Sequence, residues 1–63
     1  MLQMFDCVGT SPAGFSEAVQ AALAEIAARG LKAHFFQVVE QRGAVREGKI
    51  KEYQVLLKVA VES

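Results

Sequence analysis

The side chains in this chain that could do chemistry are suited to holding a molecule rather than transforming one. Gln54 carries an amide that both donates and accepts, and it lies in an alternating segment on the face opposite the apolar one. It reads as a polar contact for a ligand, as an ordinary exposed strand residue, or as one bonded across an interface. Phe35 and Phe36 are consecutive, so in a strand they point to opposite faces. One of them packs inward. The other is a flat aromatic that is costly to leave in water unless a ligand or a neighbouring subunit covers it. Arg42 offers a planar cation for a phosphate, for water, or for a carboxylate such as Glu40 or Glu52 of another chain. Gln37 can line the same pocket as Phe35.

The remaining reactive groups have plainer readings. His34 is the sole histidine, and no serine, cysteine or carboxylate stands near it at a nucleophile–base spacing, so it reads as a surface or interface residue and the chain as no enzyme. Cys7 is the sole cysteine. An intrachain disulfide and a Cys/His zinc site are therefore both excluded, and Cys7 reads as a small hydrophobe at a strand end. Tyr53 falls on the apolar register, where it packs. Gly9 is expected to serve a turn conformation closed to side chains, and neither a G-x-G-x-x-G nor a Walker pattern is present to hold nucleotide phosphates.

Three strands and one helix must position these groups. Residues 2 to 8 are short and mostly apolar and close at Gly9, which suits an opening strand. Val8-Gly9-Thr10-Ser11-Pro12 then reads as a turn, with the Ser11 oxygen capping a helix and Pro12 at its first position. The helix is expected over 12–29, stopped by Gly30. Its apolar stripe is Phe15, Ala18, Val19, Ala22, Leu23 and Ile26, at spacings of three and four. Aromatic and β-branched residues predict a second strand over 33–45. Period-two alternation predicts a third over 49–61, with Tyr53, Val55, Leu57, Val59 and Val61 on one face. Glycine in Arg46-Glu47-Gly48-Lys49 suits a tight antiparallel hairpin. The 63 residues thus form one domain, residues 1–63, with an α+β, β-α-β-β order.

Size and composition argue for self-association. A domain this short usually needs a disulfide, a metal or partner subunits, and a disulfide and a Cys/His zinc site are excluded. Hydrophobic residues make up 52% of the chain, more than one helix on a small sheet can hide, so some should face other subunits. The expected helix spans roughly 27 Å and a strand over 33–45 roughly 43 Å, so the strands either curl around the helix or project past it, and an unclosed edge seeks another chain. Seven basic residues balance seven acidic ones, which argues against nucleic acid and anionic membranes as partners. The N-terminus has neither a basic n-region nor a long apolar stretch, so a cytoplasmic protein is expected.

The Val8-Gly9-Thr10-Ser11-Pro12 segment, the helix after it, Arg42-Gly43 late in the second strand and Tyr53-Gln54-Val55 in the third closely resemble the dodecins, small flavin-binding proteins, over essentially the full length. The resemblance implies a three-stranded antiparallel sheet wrapped around one helix, and twelve copies forming a hollow homododecamer. It also implies flavins (riboflavin, FMN or FAD) held in pairs at subunit interfaces, stored without turnover. Some family members bind coenzyme A, and one branch is associated with calcium, so a structural shell holding either of these instead is the alternative. By position, Phe35 matches the tryptophan that stacks on the flavin ring in typical members, Gln54 matches the glutamine on the ring's polar edge, and Arg42 matches an arginine near the site. In the family register Phe36 takes the core side and Phe35 the outer one. A phenyl ring has less area and is a poorer electron donor than an indole, so weaker binding and weaker quenching are expected. Gln37, where the family is frequently acidic, and His34, where it is often aspartate or aliphatic, are further departures.

Overall fold

A computed structural model describes residues 1–62. The order is β1 (Leu2–Ser11), α1 (Phe15–Ala28), β2 (Lys32–Arg46) and β3 (Lys49–Glu62). The strands make one antiparallel sheet in the order β1-β3-β2, so β3 is central and both other strands are edges. The α+β class and the β-α-β-β order are those expected.

The helical core is built as its stripe predicts. Ala18, Ala22 and Ile26 are buried against Val55, Leu57, Val59 and Val61 of β3, with Val19, Leu23, Leu31, Cys7 and Val38 packed around them. Tyr53 continues this face and meets the Phe15 ring edge-on at 4.9 Å between centroids. Gly30, at φ +78°, ends the helix. The Gly30 and Leu31 amides donate back to the carbonyls of Ala27 (2.9 Å) and Ile26 (3.4 Å), satisfying groups the helix leaves orphaned. The β2–β3 turn has both central residues at positive φ, Glu47 at 54° and Gly48 at 76°. This matches the mirror-image turns whose twist suits a two-residue hairpin.

The β1–α1 junction differs from expectation. Residues 8–11 are not a turn: they extend β1 as far as a Ser11–Tyr53 pair. The helix begins at Phe15 with Gly14 as its cap and no side-chain capping bond, so Pro12 precedes it. Ser11 Oγ accepts instead from the Ala13 amide at 3.0 Å, bracing the short connection. Gly9 is a strand residue. A Cβ there would collide with the Ala18 carbonyl oxygen and lie 2.9 Å from Ala22 Cβ, so glycine is required for close strand–helix approach rather than for a turn.

The helix packs chiefly on β1 and more lightly on β3 and β2, so the sheet wraps it incompletely. Phe36 lies in register with the buried Val59, on the helix side as expected, yet stays 44% exposed. Of the two outcomes for the long strands, projection prevails. β1 pairs only as far as Tyr53, while β2 and β3 run on to the hairpin, and the chain measures 45 × 20 × 13 Å.

Candidate functional site

The four sequence-selected residues share the sheet face that turns away from the helix. Cross-strand rows on that face are Met4–Ala60–Phe35, Asp6–Lys58–Gln37, Val8–Leu56–Glu40 and Thr10–Gln54–Arg42. Phe35 and Arg42 are separated by an odd number of residues, so strict alternation would place them on opposite faces. A bulge between Val38 and Glu40 inserts Val39 and returns Arg42 to the side of Phe35. A second bulge, at His34, lies just before Phe35.

The face has two distinct ends. At one, Phe35 stands 55% exposed beside Ala60, which is fully buried although it sits on the open side of the sheet, flanked in register by Met4. At the other, Arg42 Nε donates to Gln54 Oε1 at 2.7 Å, and Gln54 Nε2 donates to Glu52 Oε1 at 2.8 Å. A small depression of about 90 Å³ opens here, lined by Val8, Glu40, Arg42, Gln54, Val55 and Leu56. Arg42 and Gln54 are thus brought together within the chain, as are Phe35 and Gln37. The two pairs are not: Ala60 and Gln54, their partners on β3, are six residues apart, roughly 20 Å along a strand. That is longer than a fused three-ring system, so the two pairs sit at opposite ends of the face.

Glu52 was missed by sequence reasoning as part of this group. The signal was available, since residues at i and i+2 on a strand share a face, and Glu52 and Gln54 both fall on the polar side of the alternation.

Other reactive groups lie elsewhere. His34 Nε2 sits 3.6 Å from Glu62 Oε1 on the surface. Cys7 lies on the helix side, in a groove of about 500 Å³ between β1 and the end of α1. Partial burial pushes its thiol pKa up, helped by Glu25 and then Asp6 and opposed by Arg29. That favours the unreactive thiol form. Among the described residues no cluster of three or more His, Cys, Asp or Glu is placed to hold a metal ion, and no helix is long and apolar enough to cross a membrane.

Comparison with known proteins agrees with this architecture. A family model described as Dodecin matches residues 1–62. The chain is 44% identical over 54 residues to a dodecin of Thermus thermophilus, covering 86% of this chain and 78% of that one. Two variants of T. thermophilus dodecin with solved structures are also similar, each covering 97% of this chain and 91% of theirs with a TM-score of 0.90. One, 41% identical, carries phenylalanine in place of a tryptophan; the other, 38% identical, carries alanine in place of an arginine. With the match spanning every element of the β-α-β-β unit, this chain belongs to the dodecin family.

Proposed function

We propose that this chain binds a flavin, riboflavin or FMN foremost and FAD through the same ring system, between copies of itself in a hollow homododecamer of single-domain subunits. It stores the flavin without turning it over, in the cytoplasm. Phe35 stacks on the ring, Gln54 of a second copy meets its polar edge, Arg42 supplies positive charge at the rim, and Gln37 lines the wall beside Phe35.

One observation carries this reading. The sheet face opposite the helix exposes an aromatic at one end and a braced amide at the other, roughly 20 Å apart along the strand, which favours a ring system shared between chains over one held by a single chain. Two such faces placed together in opposite senses would set Phe35 of one copy against Gln54 of the next and bury apolar surface that a lone protomer leaves in water. The family relatives support the assignment of residues. The tryptophan and arginine replaced in the two T. thermophilus variants stand seven residues apart, as Phe35 and Arg42 do. The variant with phenylalanine for tryptophan keeps a fold superposable on this one, so that exchange is compatible with the architecture.

The test is a titration of ligand-stripped protein with riboflavin and FMN, following flavin fluorescence, with oligomer size measured on the same sample. Quenching that saturates near one flavin per chain is expected. A large oligomer that quenches neither flavin would overturn the reading in favour of a shell holding coenzyme A or calcium. The calcium version would need carboxylates from more than one copy.

A further inference from the structure

We propose that Glu52 is a positioning residue: it fixes which way the Gln54 amide faces and so decides which edge of a ligand the site accepts. This rests on the flavin reading above and deepens it. Gln54 is bonded on both sides by charged neighbours, its oxygen accepting from Arg42 Nε (2.7 Å) and its nitrogen donating to Glu52 Oε1 (2.8 Å). Bonds with one ionised partner are stronger than neutral ones. Turning the amide over would set its N–H groups against the Arg42 N–H and its oxygen against the Glu52 carboxylate, losing both bonds. One orientation is therefore imposed.

That orientation leaves a single N–H and a single oxygen lone pair for a ligand. They are presented in fixed order, the donor toward Glu52 and the acceptor toward Arg42. An imide edge, with a carbonyl beside an N–H, satisfies both groups. A ligand whose imide nitrogen carries a methyl group satisfies one at most and sets the methyl against the Gln54 oxygen. Glu52 is itself poorly suited to touch such an edge, because its carboxylate would face the ligand carbonyls. Its effect passes through Gln54, two residues on along the same face.

The experiment compares lumiflavin with N3-methyl-lumiflavin on wild-type, Glu52→Ala and Glu52→Gln protein, each confirmed to have the same oligomer size, with binding read by fluorescence quenching. The wild type should prefer lumiflavin by about tenfold or more, since the methylated ligand strands a polar group. In Glu52→Ala the preference should shrink to about twofold, because Arg42 alone then holds the amide and its nitrogen side is left free to swing. Glu52→Gln should restore most of it, because a glutamine carbonyl can accept the same bond. A merely structural role would weaken both ligands equally and keep the preference. An unchanged preference in Glu52→Ala would therefore overturn this inference while leaving flavin binding in place. A wild type that binds both ligands equally would overturn the assigned edge contact. A wild type that binds neither would overturn the flavin reading and this inference with it.

Discussion

The two faces of β3 divide the work of this small protein. Toward the helix, Val55, Leu57, Val59 and Val61 are buried and matched by a complementary stripe from the same chain. Away from it, Gln54, Leu56, Lys58 and Ala60 share a surface with Phe35, Val8 and Met4, all three of which stay exposed. One face is largely matched within the chain, and the other leaves apolar side chains in water. The contrast shows how 63 residues can hold both a core and a candidate site: the core uses every other residue of the central strand, and the proposed binding surface uses the residues between.

Substitutions on the inner face should produce the largest effects and should act on stability. Leu57→Ala removes a fully buried side chain at the centre of the cluster and is expected to cost about 2–5 kcal/mol in denaturant unfolding. Gly9→Val should be comparably damaging, because the new atoms would press on the Ala18 carbonyl and the Ala22 side chain. A soluble Gly9→Val protein with wild-type unfolding would refute the close strand–helix approach. On the outer face, Phe35→Ala should abolish most flavin quenching while leaving the unfolding midpoint of the protomer fold little changed. Phe35→Trp should strengthen binding and quenching, because the indole adds stacking area and electron density. Gln54→Ala should weaken flavin affinity several-fold or more, and unchanged affinity would remove it from the site.

Much of the inner face was legible in the sequence, because burial writes a periodic pattern: four consecutive same-side residues of β3 and the helical spacing of Ala18, Ala22 and Ile26 could be read directly. The β1–α1 junction was misread for a physical reason. Serine followed by proline is a helix-start signal, but Tyr53 pairs with Ser11 and draws the strand three residues further, so tertiary pairing overrode the local signal. The outer face was legible residue by residue but not as an arrangement. Nothing in the sequence announces the Val39 bulge that puts Arg42 on the side of Phe35, and the alternation puts Glu52 and Gln54 on one face without saying that their side chains bond.

Smaller effects are expected where neither face is involved. The Cys7 thiol, raised by burial and the nearby Glu25 and Asp6, holds less thiolate at any given pH than a free thiol. Alkylation by iodoacetamide at mildly alkaline pH should be several-fold slower than for a small-molecule thiol, and a faster rate would contradict that environment. The Glu25–Arg29 pair, 3.6 Å apart and largely in water, should contribute no more than about 0.5 kcal/mol, so Arg29→Ala should barely move the unfolding curve.

The most direct test of a site shared between two outer faces is complementation. Phe35→Ala and Gln54→Ala chains, each deficient in flavin binding alone, would be unfolded together, reassembled as mixed oligomers and titrated with riboflavin. If Phe35 and Gln54 of one site come from different copies, random pairing should restore roughly a quarter of the sites to full affinity. No recovery in mixed oligomers, with wild-type protein reassembled alongside binding normally, would place both residues of a site on one chain and contradict the account.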